Sequence, residues 1–322
     1  MNTQSPVSRR SFVVGAGLAA AAAALVEPAR LFAFSDNPDD NGIVARMRRE
    51  ASTAKITTRF LRGGVGVLMG AGGNVAVLSG RDGMVLVDAG ISTAQRQVSA
   101  ALAGIGQDPI RYLINTHWHF DHTDGNQWLR SAGALIIAQE NTRKHLAAET
   151  RVEGWGFTFP PSPAGALPLI TFKDALRLHL NDTTLTLEAF SPAHTDSDIL
   201  IEFREPDVIH VGDVWWNGHY PFIDYSTGGS IDGTIRGVEA CLARVKNSTI
   251  IIPGHGPVGD REQLAEFRDM LTTVRRRVAD LKRQGRSLSQ VVAAKPTTEF
   301  DDKFGDFLIT PADFTGLVYA GV

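Results

Sequence analysis

The hydrophobic pattern of the 322-residue chain alternates between short apolar runs and amphipathic stretches. Between Gly64 and Gly90, runs rich in β-branched residues are separated by glycine turns, a pattern typical of strands joined as hairpins. The predicted strands are residues 65–70, 74–79, 84–88, 111–115, 134–138, 177–180, 183–190, 198–204, 207–212 and 248–254. The predicted helices are residues 92–104, a helix beginning near Asn126, residues 231–245, and a long amphipathic helix from Leu264 to Leu281 that Gly285 stops. Because strands and helices alternate, the pattern predicts an α/β fold.

The N-terminal segment has the features of an export signal. Arg9 and Arg10 precede an apolar, Ala/Gly-rich run over residues 13–26 that is too short to span a bilayer. Paired arginines before such a run resemble a twin-arginine (Tat) signal, which implies the Tat translocation machinery as a partner and a periplasmic or secreted protein. We therefore predict a signal peptide over residues 1–33 and a linker or extension over residues 34–59, with no stable membrane span.

Composition narrows the class of partner. The chain is 43% hydrophobic and 21% charged, with a formal net charge of −3. A mildly acidic chain without a stripe of lysine and arginine is a poor candidate for binding nucleic acid or an anionic membrane. Cys241 is the single cysteine, so no intrachain disulfide is possible, and its place beside an apolar helical stripe predicts a buried, inert thiol.

The segment THWHFDH at 116–122 concentrates three of the nine histidines beside an aspartate. His117 and His119 are two residues apart, so just after a strand their side chains leave on the same side and can converge on one ion. Asp121 and His122 follow on a turning backbone, where they can face a second ion. This density of ligand-type side chains predicts a metal site.

Three later apolar runs end in further candidate ligands. These are His194 after LTLEAFSPA, Asp213 after DVIHVG and His255 after TIIIPG. Each follows a different predicted strand, and a rigid sheet can bring such sequence-distant groups to one place. The set predicts a hydrolytic metal centre, which needs protein ligands and an open position for water.

These motifs together resemble the metallo-β-lactamase superfamily. The resemblance rests on HxHxDH at 117–122, on His194, Asp213 and the GHG around His255, and on Asp88 in VLVDAG, and it covers roughly residues 60–260. It implies an αββα sandwich with two metal ions at one edge between the sheets, and residues 261–322 as a C-terminal helix and tail packed on the same domain. It implies the following roles: His117, His119 and His194 on the first metal, Asp121, His122 and His255 on the second, Asp213 bridging both, and Asp88 bracing the ligand loop.

The resemblance also implies a reaction. Two zinc ions per chain would share a hydroxide that attacks an acyl bond, with Asp121 orienting that nucleophile as a catalytic residue. Histidine and aspartate ligands alone also admit iron or manganese. Asp213 stands where one β-lactamase subclass has a cysteine, and it resembles the bridging aspartate of glyoxalase II, the homoserine-lactone lactonases and the phosphodiester-cleaving members.

We therefore expect an exported hydrolase of a lactone, ester or thioester. The alternatives are a β-lactamase or β-lactamase-like amidase, a mono-iron enzyme like the persulfide dioxygenases, and a metal-dependent protein without catalytic activity. Ser197 departs from the pattern, because many family members have glycine there.

The loop after Asp213 supplies candidate substrate-binding residues. They are Trp215, Trp216, His219 and Tyr220. Packing of these aromatic residues in the core is an equally open interpretation. Trp155 and Phe157, in the Pro/Gly-rich segment 154–170, form a weaker candidate of the same kind, and His145, His179 and His210 are predicted to be structural.

Overall fold

The structure is a computed structural model that describes residues 42–190 and 192–322. The predicted signal peptide, residues 1–33, and the start of the predicted extension lie outside the described residues. Within the described ranges, no helix combines the length and the apolar character that crossing a bilayer requires.

The described part of the chain forms fourteen strands. In order they are β1 (Thr57–Phe60), β2 (Val65–Met69), β3 (Val75–Leu78), β4 (Met84–Val87), β5 (Ile110–Ile114), β6 (Leu135–Gln139), β7 (Thr150–Val152), β8 (Phe157–Phe159), β9 (Ile170–Phe172), β10 (Ala175–Leu180), β11 (Thr183–Ala189), β12 (Ile199–Phe203), β13 (Val208–His210) and β14 (Ile250–Ile252). The ten predicted strands are all present, and their ends differ by at most two residues.

Within the same described ranges, ten α-helices accompany these strands. They are α1 (Ile43–Thr53), α2 (Gln95–Ile105), α3 (Phe120–Thr123), α4 (Asn126–Ser131), α5 (Glu140–Ala147), α6 (Ile231–Arg244), α7 (Arg261–Arg283), α8 (Leu288–Ala293), α9 (Asp301–Phe304) and α10 (Pro311–Ala320). Side chains cap the two long helices, since Ser230 accepts from the amide of Gly233 and Asp260 from that of Gln263. Gly285, with φ 77°, follows α7, as the sequence predicts.

Two sheets form the centre of the fold. The first has the order β1-β2-β3-β4-β5-β6-β9 and the second β10-β11-β12-β13-β14, while β7 and β8 form a separate hairpin. Alternate residues face opposite sides: Val85 and Val87 pack into the core that also contains Ile199 and Ile201, whereas Leu86 and Leu200 belong to the core on the helix side. The sheets therefore pack face to face with helices outside, and the predicted αββα sandwich is confirmed.

The C-terminal helices belong to the same core. Phe314 and Leu317 of α10 are buried in the cluster that also contains Phe267 and Leu271 of α7. On α6, Cys241 is fully buried, and burial raises the pKa of its thiol to about 12, so it stays protonated and unreactive at neutral pH.

Short or exposed elements escaped the sequence pattern. Helix α1 lies inside the segment predicted as a linker, and its buried face packs Val44, Met47 and Ala51 into the helix-side core. Strand β1 is mostly exposed, and β7, β8 and β9 have three residues each, so none forms an apolar run long enough to recognise.

Candidate metal centre

The ligand loop begins where β5 ends, at Ile114, and runs into the short helix α3. Asp88, which follows β4 with φ 67°, holds this loop: its carboxylate accepts from the amide and the hydroxyl of Thr116, each at 2.7 Å. A positive φ is uncommon for aspartate, and here the surrounding hydrogen bonds fix it. Asp88 therefore contacts the ligand loop as the resemblance implied.

The other candidate ligands lie on loops at the same edge of the sandwich. His194 is in the connection between β11 and β12, Asp213 comes three residues after β13, and His255 three residues after β14. Strands β13 and β14 are parallel, so their carboxyl ends meet at one edge. All seven candidates are buried, with 5% exposure or less.

The first group gathers His117, His119, His194 and Asp213, whose candidate ligand atoms all lie within 4.8 Å of one another. His119 Nδ1 is 2.9 Å from His194 Nε2, and Asp213 Oδ2 is 3.5 Å from His194 Nε2. The same oxygen is 3.9 Å from His117 Nε2.

The second group gathers Asp121, His122 and His255 within the same limit of 4.8 Å. Asp121 Oδ2 lies 3.2 Å from His255 Nε2 and 3.7 Å from His122 Nε2. Asp213 also reaches this group, with Oδ1 3.0 Å from His122 Nε2 and Oδ2 3.4 Å from His255 Nε2. The carboxylate of Asp213 therefore lies between the two groups.

Outer hydrogen bonds orient the imidazoles of the first group. His119 Nε2 is 3.1 Å from Asp224 Oδ2, and His194 Nδ1 is 2.8 Å from the carbonyl oxygen of Phe222. Both oxygens only accept, so each of these outer nitrogens donates, and a neutral ring leaves a bare lone pair on its inner nitrogen. The two inner nitrogens are the pair that lies 2.9 Å apart. Two facing lone pairs at that distance fit a cation between them.

Four other polar atoms of the candidate ligands have no hydrogen-bond partner. His117 Nε2, His122 Nε2, His255 Nε2 and Asp213 Oδ1 are buried without a hydrogen bond. Buried polar atoms are normally satisfied, so a cluster of four such atoms at one point is what a bound cation would resolve. The residues present therefore fit the metal ions that the sequence predicts.

The pKa shifts of the ligand histidines show which part of the cluster favours positive charge. Burial, and then the neighbouring His122, holds the pKa of His117 well below its usual value, which keeps that ring neutral. Burial opposes protonation of His255 too, but the carboxylates of Asp213 and Asp121 raise its pKa to about 9. The part of the cluster around Asp121 and Asp213 thus favours positive charge.

A glycine turn between β2 and β3 packs directly against the second group. A Cβ atom at Gly73 would lie 2.1 Å from Cε1 of His122, and one at Gly72 would lie 2.5 Å from the carbonyl oxygen of Asp121. The amide of Gly73 donates to that carbonyl at 3.0 Å, and the amide of Asn74 donates to the carbonyl of Gly254 at 2.8 Å. The turn therefore joins the ligand loop to the segment before His255.

The predicted substrate-binding residues divide into two kinds. Trp215 and Tyr220 have no exposed surface, which contradicts their prediction as a substrate wall. Tyr220 stacks on Phe314 at 4.7 Å and donates to Asp301 at 2.8 Å, so burial of its ring and hydroxyl against the C-terminal helices explains the correction. Trp216 and His219 lie beside the centre instead.

Two ring contacts show where Trp216 and His219 lie. The centroid of Trp216 is 4.4 Å from that of His255, and His219 stacks on Phe307 at 4.3 Å. Trp155, from the Pro/Gly-rich loop, lies 4.7 Å from the ring of His119. Their contact with a substrate stays a prediction.

Sequence reasoning missed Asp224 and Phe307. Asp224 is an acidic residue inside the apolar segment PFIDY, and that position was the available signal. Burial opposes its ionisation, but His119 and the hydroxyls of Ser226 and Thr227 hold its pKa at about 2. Phe307 follows the ligands by more than fifty residues, and nothing local marks it.

The remaining histidines have structural contacts where they are buried. His210 Nε2 donates to the carbonyl of Asn74, and its Nδ1 accepts from the amide of Gly212. His145 pairs with Asp196 at 2.8 Å. Ser197 does not need the freedom of glycine, because its φ is not positive and its amide donates to Thr195 Oγ1.

Comparisons with known proteins agree with this geometry. The family model of the metallo-β-lactamase superfamily matches residues 69–255. A probable metallo-hydrolase of Methanocaldococcus jannaschii is 28% identical over 183 residues, which cover 55% of this chain and 84% of that protein. A type 2 metallo-β-lactamase of a Bacillus species is 23% identical over 201 residues, 62% of this chain and 72% of that protein.

A solved structure extends the likeness in fold. The stereoselective inverting sec-alkylsulfatase of a Pseudomonas species matches with a TM-score of 0.63 at 16% identity. The match covers 86% of this chain but 51% of that one, so the chain spans about half the length of the alkylsulfatase. With the family model matching more than half of its residues, the chain belongs to the metallo-β-lactamase superfamily and is a metal-dependent hydrolase of that superfamily.

Proposed function

We propose that the protein is a dinuclear metal hydrolase, with zinc as its metal, that cleaves an acyl bond in a lactone, ester or thioester. The observation that carries this proposal is the position of Asp213. One carboxylate lies within 3.0–3.9 Å of nitrogen atoms from both histidine groups. An anionic side chain shared by two cations offsets their repulsion, which a neutral side chain could not do.

The residues would divide the work as follows. His117, His119 and His194 would hold one ion, and Asp121, His122 and His255 would hold the other. When bound, the pair of ions polarises the scissile carbonyl and supplies a hydroxide nucleophile at neutral pH. The second carboxylate, Asp121, lies 3.2 Å from His255 Nε2 and would orient the attacking water, so it is the proposed catalytic residue.

Residues behind the ligands keep the geometry fixed. Asp88 holds His122 through Nδ1 at 2.7 Å, and Asp224 holds His119 through Nε2. Such outer partners fix the tautomer and orientation of a ligand histidine. Cys241 takes no part, because it is buried on α6 with a raised pKa, and this supports Asp213 as the residue shared by both ions.

A second candidate function is alkyl sulfate hydrolysis. The match to the sec-alkylsulfatase structure covers 86% of the chain and so extends beyond residues 69–255 that the family model matches. A third is β-lactam hydrolysis, favoured by the identity with the Bacillus metallo-β-lactamase. A mono-iron centre like that of the persulfide dioxygenases would use much of the same ligand set, and metal analysis discriminates it from a dinuclear centre.

A substrate panel with metal analysis tests the proposal. We expect about two metal ions per chain by elemental analysis, and turnover of lactones, esters or thioesters that a chelator abolishes. Turnover of nitrocefin alone, or of alkyl sulfates alone, would transfer the assignment to the corresponding alternative. A content of one iron per chain would contradict the dinuclear centre.

Export through the Tat machinery to the periplasm is part of the same proposal, supported by the arginine pair and apolar run near the N-terminus. The expected result is accumulation of the shortened chain in the periplasmic fraction. Replacing both arginines by lysine would hold the protein in the cytoplasm, and unchanged export would contradict the Tat route.

A further inference from the structure

A cavity of about 220 Å³ opens beside His255 of the second ligand group. Its side walls come from two segments that lie outside the matched residues 69–255. Helix α1 and the residue after it contribute Met47, Ala51 and Ala54, and the segment after α9 contributes Phe307 and Leu308.

The lining of this cavity is apolar. Ile91 completes the wall, and Gly70 and Gly72 form part of the floor. The one charged residue among the lining residues apart from His255 is Glu50, whose side chain is 66% exposed at the rim. A ligand inside this cavity would therefore meet carbon on most sides.

The floor of the cavity packs against the second ligand group. Gly72, with φ 102°, lets the backbone approach so closely that a Cβ there would be 2.5 Å from the carbonyl oxygen of Asp121. A group bound over this glycine is therefore next to Asp121 and His255, two of the three residues of the second ligand group.

Phe307 is the most unusual member of the wall. It is 43% exposed, although its ring is held by stacking on His219 at 4.3 Å and lies 6.0 Å from the ring of His255. Covering an exposed phenyl ring beside a reaction centre with an apolar group removes apolar surface from water, which favours binding of that group.

A larger cavity of about 580 Å³ lies elsewhere and does not compete for this role. Trp118, Phe120 and Phe159 are among its lining residues, and none of the seven candidate ligands lines it. The small cavity beside His255 is therefore the one that can hold part of a substrate whose reacting bond is at the centre.

We infer that the cavity between α1 and Phe307 binds an apolar chain of several carbons, and that Phe307 and Ala54 set the length of that chain. The volume is about seven times a water molecule's share of the liquid. The substrate class is thus a medium-chain acyl compound whose chain carries no charge. The inference rests on the proposed acyl hydrolysis for the identity of the reacting group. The apolar chain is inferred from the lining and volume of the cavity alone.

A homologous series of p-nitrophenyl esters from acetate to decanoate tests it. With the wild-type protein, kcat/KM rises about fourfold for each methylene that enters the cavity and then levels off. In Phe307→Ala the rise falls to about twofold or less per methylene. In Ala54→Leu, which fills a half-buried position, the rise stops at a shorter chain.

The matched control is Phe60→Ala, since Phe60 is another exposed phenylalanine, at 66%, on β1 and away from the cavity. It keeps the wild-type dependence on chain length. A flat wild-type series, or a Phe307→Ala series that parallels the wild type, overturns the chain pocket while leaving acyl hydrolysis intact.

Binding separates the pocket from the reaction. Calorimetry with linear alcohols from butanol to octanol uses the protein as isolated and needs no turnover. The dissociation constant falls with length for the wild type and for Phe60→Ala, and the fall is reduced in Phe307→Ala. If no acyl compound is hydrolysed but this pattern holds, the proposed reaction is wrong and the pocket stands; if length has no effect, the pocket is wrong.

Discussion

The matched domain and its flanking segments differ in how their side chains are held. All seven candidate ligands lie inside residues 69–255, follow strand ends and are at most 5% exposed. The flanks contribute α1 and Phe307, which is 43% exposed. Ligand atoms need positions fixed to a fraction of an ångström, which a rigid sheet edge supplies, whereas a pocket wall needs only shape. We therefore expect changes in the domain to abolish the reaction and changes in the flanks to alter its range.

The largest effect tests the domain side of this comparison. Replacing Asp213 by alanine removes the carboxylate that lies between both groups, so we expect loss of one metal ion and a fall in kcat/KM of about a thousandfold or more. Elemental analysis and the ester assay measure both quantities. Circular dichroism and the substitution of exposed Asp182 by asparagine serve as controls. Activity within a few-fold of the wild type would contradict the shared position of Asp213.

A smaller effect is expected behind the ligands. Asp224→Asn keeps the shape of the side chain but no longer forces His119 to donate from Nε2, so the inner Nδ1 loses its fixed lone pair. Loss of such a partner typically costs 10–100-fold in metal affinity or activity. Competition with a chromophoric chelator gives the affinity directly. Unchanged affinity together with unchanged turnover would show that Asp224 acts only as a turn residue.

The packing of the C-terminal helices on the matched domain is tested at Tyr220, which lies in the domain and contacts those helices. Tyr220→Phe removes the hydroxyl that donates to Asp301, and loss of one buried hydrogen bond costs about 1 kcal/mol. We expect Tm to fall by about 2–4 °C with KM and kcat unchanged. A change in KM without a change in Tm would restore this residue to the substrate wall.

The smallest effect lies far from both regions, at Glu205. Hydrogen bonds from the hydroxyl of Thr183 and the amide of Thr184 lower the pKa of this exposed carboxyl to about 2. A folded pKa below the unfolded value of 4.5 stabilises the protein above that pH, and the contribution is lost as the pH falls towards 2. Glu205→Gln should therefore lower Tm by about 1 °C at pH 7, with a smaller difference at pH 3, by calorimetry. A difference that grows on acidification would contradict the assigned contacts.

The strands and site residues of the matched domain could be predicted from the sequence far better than those of the flanking segments, for a physical reason. Strands such as β3 and β4 are continuous apolar runs, and His117 to His122 are adjacent in the chain, so local pattern carries their role. Helix α1 and Phe307 acquire their role only through contacts across the whole fold. Trp215 and Tyr220 show the reverse case, because an aromatic residue next to a ligand in sequence can still face the core.

The glycine turn at residues 72–73 limits how this enzyme can be redesigned. Since a single methyl group at Gly73 would collide with the ring of His122, the hairpin tip cannot be diversified without displacing a ligand. Libraries that seek new substrates should therefore leave that tip untouched and vary the opposite wall at Phe307, which is 43% exposed.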